Sequence, residues 1–209
     1  QTVLATQIEP HFLYNSIDSI QYVAHMREEK EIEQVANALS ELLRSVLTNK
    51  NEMITLWEER EYIENYMVIE NFKYRNEDTL LWDVDEPLWD YRLPKLLLQP
   101  IVENAFEHGF AGRAPDAERC IVVSAKRLGK RLILRVWDNG QGMEPEQVAE
   151  MNRKFALPYD ALALRHEEKR GIGLENINDR LRIFARADDR LVLRSRRGRY
   201  TSVFVLLEL

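Results

Sequence analysis

The sequence predicts an α+β chain in which a helical hairpin precedes an α/β sandwich. One contrast points to this. Apolar residues recur at helical spacing up to residue 48, whereas after residue 76 short alternating runs are broken by Gly and Pro. Length agrees: 209 residues, 45% of them hydrophobic, suit one compact domain with an attached helical part. The expected division is a hairpin over 1–50, a connecting helix over 51–76 and a sandwich domain over 77–209.

Residues 2–26 read as a helix with Ile8, Phe12, Ile17, Ile20 and Val23 on its apolar side. Pro10 falls inside this pattern, where it removes a backbone donor and loosens the turn before it. A second helix fits 29–48, with Ile32, Val35, Leu39, Leu42 and Val46 on one side. A short charged turn joins the two as antiparallel neighbours. Both are too apolar to stand alone, so pairing of two hairpins into a four-helix bundle is expected. A third helix covers 56–73. Thr55 caps it, Glu58 completes a capping box, and Tyr62, Ile63, Tyr66, Met67 and Phe72 read as packing residues.

Beyond residue 76, the runs 79–84 and 88–93 read as short strands. Pro94 suits the first turn of a helix running to about residue 108, closed by Gly109. Residues 120–126 and 131–137 form a hairpin turning near Gly129. In its second arm Leu132, Leu134 and Val136 alternate with Ile133, Arg135 and Trp137. Segment 143–170 has no clean period and reads as an irregular or partly helical lid. A helix follows from about 172 to 185. Strands 190–196 and 201–208 then flank a turn at Arg197-Gly198.

The formal net charge of -6, with both signs mixed, argues against a general nucleic-acid binder. It leaves room for an anionic ligand held by local geometry. The lone Cys120 permits no intrachain disulfide and reads as a buried strand residue, consistent with a reducing compartment. No apolar run approaches the roughly 20 residues that cross a bilayer, and no signal peptide is visible. The chain opens inside a helical pattern at Gln1, which suggests a piece of a longer protein. His11, His25, His108 and His166 are scattered without an HExxH pair, so a metal hydrolase fits poorly.

Three separated segments carry chemistry. Glu103-Asn104 sits late in a helix, and an Asn carbonyl oxygen can ligate Mg2+. Asp138-Asn139-Gly140-Gln141-Gly142-Met143 follows a strand, so its carboxylate can accept a hydrogen bond from a ligand amine while the glycines admit close approach. Gly171-Ile172-Gly173-Leu174 precedes a helix whose first N–H groups suit phosphate. Neither GxGxxG nor GxxxxGK is present, so this is neither a dinucleotide fingerprint nor a Walker A loop.

In this order the segments resemble the Bergerat-type (GHKL) ATPase fold shared by gyrase, MutL and histidine kinases. The whole chain resembles the cytoplasmic core of LytS/YehU-type sensor histidine kinases. Residues Gln7-Ile8-Glu9-Pro10-His11-Phe12-Leu13-Tyr14-Asn15-Ser16-Ile17 look like the phosphoacceptor box, and Leu93-Pro94 through Leu98-Gln99-Pro100-Ile101-Val102-Glu103-Asn104-Ala105-Phe106-Glu107-His108-Gly109 like the N box. Asp138 to Met143 and Gly171 to Leu181 look like the two glycine boxes.

The resemblance implies ATP and Mg2+ as cofactors, with Asn104 as the Mg2+ ligand and Asp138 as the adenine reader. It implies Gly140, Gly142, Gly171 and Gly173 as shapers of the pocket, with Leu174 and Asn176 in the second glycine box. His11 is the implied phosphoacceptor, and a neutral imidazole is a competent nucleophile. Asn15, one turn on, orients the ring or holds phosphoryl oxygens. His108, Lys169 and Arg170 are candidates for phosphate contact, and Glu9 and Glu103 for the general base. The implied partners are a response-regulator receiver domain and a second copy of the chain, paired through the N-terminal helices. The full-length protein is expected to add an N-terminal sensor and membrane region, with this core on the cytoplasmic side of the cell membrane.

Three positions depart from the family pattern. Glu107 stands where a basic residue is usual, Glu9 replaces the usual Asn before Pro-His, and Gly198-Arg199-Tyr200-Thr201 is looser than the expected Gly-Thr turn. An ATP-dependent switch without histidine transfer and a non-catalytic dimeric scaffold are the competing readings.

Overall fold

The computed structural model describes residues 10–47, 51–75, 78–111, 117–157, 173–184 and 189–209. The chain divides into two compact units, one comprising Gln1–Asn51 with Glu64–Asn76, the other Glu52–Ile63 with Glu77–Leu209.

The first unit holds α1 (Pro10–Met26) and α2 (Lys30–Leu47), packed as a hairpin. The reversal is tight: Glu28 takes a left-handed φ of 57°, and Glu29 N–H donates to Ala24 O at 2.9 Å. Pro10 is the first described residue of α1; the part of the expected helix over 2–9 lies outside the described residues. The core differs from the expected stripe. Ile17, Ala24, Ala36 and Ala38 are buried, whereas Phe12, Ile20, Val23, Ile32 and Leu39 are exposed in the single chain. Five of the larger apolar side chains thus face outward.

α3 (Leu56–Tyr74) runs through both units. Its capping box forms as expected: Glu58 N–H donates to Thr55 Oγ1 at 3.1 Å, and Thr55 N–H to the Glu58 carboxylate at 2.7 Å. Tyr62, Ile63 and Met67 are buried as packing residues, while Phe72 is exposed. Arg60 fixes the start of α3. Its guanidinium lies 5.0, 5.2 and 5.8 Å from the rings of Trp57, Trp89 and Trp82, within cation–π range.

The second unit is built on a five-stranded sheet. β2 (Thr79–Val84), β4 (Cys120–Leu128), β5 (Arg131–Asp138), β6 (Arg190–Arg196) and β7 (Tyr200–Glu208) lie in the order β2-β4-β5-β7-β6. β2 pairs parallel with β4, and the other pairs are antiparallel. Period-two alternation puts Ile121, Val123 and Ala125 on the buried face of β4, and Leu132, Leu134 and Val136 on that of β5. Helices α4 (Gln99–Asn104), α5 (Pro145–Ala156) and α6 (Leu174–Phe184) supply Ile101, Val102, Phe155, Ile177 and Leu181 to the core. The edge strand β6 is capped by side chains. Asn152 exchanges two 2.8 Å bonds with the Leu193 backbone, and Asn178 Oδ1 accepts from Leu191 N–H at 3.1 Å.

Two expectations need correction. The helix expected from Pro94 begins at Gln99, and Pro94 instead ends β3 (Arg92–Pro94), which pairs with β1 (Met53–Thr55). The proline of the first helical turn is Pro100. The segment expected to be irregular or partly helical is helical in its first part, α5, with Pro145 in its first turn and a capping box between Glu144 and Gln147. The strand expected over 88–93 survives only at its end, where Arg92 and Leu93 lie in β3; Leu88 closes a 3-10 turn over Glu86–Leu88. Cys120 opens β4 half-buried, and burial together with Glu118 pushes its thiol pKa up, away from nucleophile chemistry. No described helix is long and apolar enough to cross a membrane.

Candidate functional site

The alternation that builds the core of β5 continues one step past Val136. It places Asp138, 5% exposed, at the strand's end on the core face. Beside it opens a cavity of about 370 Å³, within the usual size range of small-molecule sites. Its walls come from α4 and the turn after it, the loop following β5, α5, the start of α6, and β7. Apolar surface is supplied by Ile101, Val136, Met143, Met151, Leu174 and Val203. A flat aromatic ring fits between such walls, with a carboxylate at one end to accept from an amine.

The glycines here are demanded by close approach. Asp138 Oδ1 accepts Gly140 N–H at 2.9 Å. A Cβ on Gly140 would collide with Gly109 O and would stand 2.5 Å from that same Oδ1. At Gly142, φ is 66° and a Cβ would run into Arg196 O. Gly140→Ala is therefore expected to destabilise the chain by about 1–3 kcal/mol, read as a lowered Tm, and to abolish ligand binding at the cavity. An unchanged Tm would show that the loop yields without cost.

α4 runs into a π-turn over Ala105–Gly109, where Phe110 N–H donates to Ala105 O at 3.1 Å. Such turns recur at functional sites. Asn104 sits at the junction. Its Nδ2 donates to Pro100 O at 2.8 Å, which fixes the amide. A Cβ on Gly173 would meet Asn104 Oδ1 at 3.6 Å and Nδ2 at 3.8 Å, so the amide lies against the residue that precedes α6. His108 is exposed and lines the cavity; Glu107 is exposed and does not. The acidic residue that departs from the family pattern is therefore not part of the cavity wall. Glu103 Oε1 accepts from Gln99 Nε2 at 2.8 Å.

Gln141, which the sequence reading left without a role, clamps the site. Its N–H donates to Gly109 O at 2.7 Å, its Nε2 to His108 O at 2.6 Å, and its carbonyl accepts from Gly198 N–H at 2.5 Å. Asn139 is structural, bonded to Cys120 N–H and Glu118 O. Thr201, opposite Asp138 in the β5–β7 register, also lines the cavity. Gly173 and Leu174 are on its wall, whereas Asn176 is half-buried in α6 and off it. Glu9, Lys169, Arg170 and Gly171 lie outside the described residues. Among the described residues no group of three or more His, Cys, Asp or Glu is placed to hold a metal. Asn104 Oδ1 is a hard oxygen donor of the kind Mg2+ accepts, and Mg2+ commonly takes one or two protein ligands together with phosphates and waters.

In the other unit, His11 stands exposed on α1, with Asn15 Nδ2 3.2 Å from its Nδ1. The pair sits one helical turn apart, as the spacing predicts.

Residues 1–78 match the histidine kinase family, and residues 90–209 match the family of histidine kinase-, DNA gyrase B-, and HSP90-like ATPases. The chain belongs to this ATPase family and is a histidine-kinase core, a helical hairpin followed by a Bergerat-type sandwich. It is 32% identical over 179 residues to the sensor histidine kinase YesM of Bacillus subtilis, which is 85% of this chain and 28% of YesM. It is 32% identical over 208 residues to the Bacillus subtilis protein YwpD, covering 99% of this chain and 69% of YwpD. Among solved structures, the catalytic domain of histidine kinase ThkA aligns with a TM-score of 0.51 over 75% of this chain and 93% of that domain. At 15% identity that likeness concerns the fold alone.

Proposed function

We propose that this chain is the ATP-dependent protein-histidine kinase core of a LytS/YehU-type sensor, phosphorylating His11 and passing the group to an aspartate of a receiver domain. The observation that carries the reading is the buried Asp138 carboxylate at one end of an apolar cavity to which Asn104 also contributes. Asp138 accepts the exocyclic amine of adenine, and Gly140 and Gly142 let the base approach the backbone. Asn104 Oδ1 is the protein ligand for Mg2+. When bound, that ion neutralises charge on the phosphates. His108, on the cavity rim, contacts phosphate.

At the acceptor, an imidazole nitrogen of His11 forms the N–P bond as the bond between the γ-phosphorus and the leaving oxygen of ADP breaks. Attack through Nε2 needs the ring proton on Nδ1. With its amide turned about χ2, Asn15 presents Oδ1 to accept that proton and hold the tautomer. Glu103 and Glu9 are the candidate bases for the proton released. The exposed apolar side chains of α1 and α2 support a homodimer through the hairpin. The short share of YesM that this chain spans supports a longer protein with a sensor and membrane region elsewhere, and this core on the cytoplasmic side.

The test is incubation of the chain with γ-labelled ATP and Mg2+. Labelled protein whose phosphate is acid-labile and alkali-stable supports the reading. ATP hydrolysis without any such label would leave an ATP-dependent switch, and no nucleotide binding at millimolar concentration would leave a scaffold.

A further inference from the structure

The structure assigns Glu59 as a positioning residue of the nucleotide site, a carboxylate on α3 that caps the N-box helix α4 from outside and so sets where Asn104 stands. This inference rests on the proposed role of Asn104.

α4 starts without a local side-chain cap: Leu98 occupies the capping position and is fully buried in the core. The missing cap comes from 39 residues upstream. Glu59, 0% exposed, accepts Leu98 N–H at 2.8 Å and Gln99 N–H at 3.1 Å on Oε1, and Leu96 N–H at 2.9 Å on Oε2. The same turn is gripped from the opposite polarity by α6. Arg180 donates to Lys95 O at 2.5 Å and to Leu96 O at 3.4 Å. Between these grips Leu96 is held at a left-handed φ of 59°, a conformation a β-carbon disfavours. The Glu59 grip is anchored in turn, since Arg60 and its three tryptophans hold the first turns of α3.

A buried carboxylate is costly where any shorter local cap would serve. Burial pushes the Glu59 pKa up, against the opposing pull of three N–H donors and Arg180. What the arrangement achieves that a local cap would not is a rigid link. α3 on one side and α6 on the other are joined at the turn from which Asn104 projects, about 9 Å along a six-residue helix. A helix this short has little internal means of absorbing a displaced start, so the displacement reaches Asn104 and the π-turn.

The experiment titrates a non-hydrolysable ATP analogue by calorimetry against wild type and Glu59→Gln, across a Mg2+ series and again in EDTA. Gln retains one acceptor oxygen but turns an NH2 toward a backbone N–H. The Mg2+ concentration for half-maximal binding is expected to rise about tenfold, as for loss of a group that orients a metal ligand, with metal-free affinity changed less than about twofold. A role confined to stability lowers Tm without moving the Mg2+ midpoint. An unchanged midpoint, or equal losses with and without Mg2+, overturns the inference. If Glu59→Gln does not fold, Arg180→Gln, which frees the same turn from its other side, decides by the same criterion. Wild type that shows no Mg2+-dependent binding defeats the proposed function itself, and so is distinguishable from failure at Glu59.

Discussion

His11→Gln is expected to remove acid-labile phosphate from the protein, lowering label by more than about 1000-fold, because no other group replaces a lost nucleophile. Three features make the result clean. His11 is exposed, so its replacement changes stability by no more than about 0.5 kcal/mol. It belongs to the hairpin unit, whereas every wall of the cavity belongs to the other, so nucleotide affinity stays at the wild-type value. Gln is acceptor and donor but carries no nitrogen lone pair able to form a stable bond to phosphorus. The informative rival is His25, exposed near the end of α1 with its Nδ1 3.1 Å from Glu33 Oε1. That contact draws the ring toward a carboxylate on α2. Label that survives His11→Gln and disappears in His25→Gln would move the acceptor there. Loss in both single variants would mean that hairpin geometry, and not one nucleophile, is being read.

How far the sequence could be read follows from the range of each signal. Asp138 was legible because a period-two pattern carries its own phase: once Leu132, Leu134 and Val136 are inward, so is residue 138. The Thr55–Glu58 cap was legible because both partners lie within one turn. α5 carried a usable signal in Pro145, Gln147 and the spacing of Val148, Met151 and Phe155, but it was averaged away with the aperiodic residues after it. The start of α4 was misassigned because two prolines, Pro94 and Pro100, each fit a helical first turn. The choice between them is made by Glu59 and by β1 pairing with β3, both distant in sequence. In the hairpin, spacing identified apolar faces without saying what covers them. The buried Ala24, Ala36 and Ala38 are too small to dominate a periodicity, so the spacing of the larger residues points to the wrong core positions.

Asp138→Asn is expected to weaken binding of ATP by about 100-fold, roughly 2.7 kcal/mol, with a Tm close to wild type. The change is isosteric, so the argument turns on hydrogen-bond polarity. An ionised carboxylate only accepts, and Asp138 uses Oδ1 to hold Gly140 N–H at 2.9 Å. Asn can keep that bond only by turning its carbonyl oxygen toward Gly140, which puts its NH2 where adenine presents an amine, donor against donor. The reverse rotamer sets NH2 against Gly140 N–H in a position 5% exposed, where the mismatch falls on the loop itself. The first choice preserves the fold and loses the base; the second loses both, and a large fall in Tm would identify it. Base identity supplies the sharper reading. A purine with a 6-oxo group accepts where adenine donates, so inosine triphosphate should bind Asp138→Asn more tightly than ATP does, the reverse of the wild-type order. If ATP affinity falls by less than about threefold and the order does not invert, the carboxylate at the end of β5 holds the loop and does not read the base.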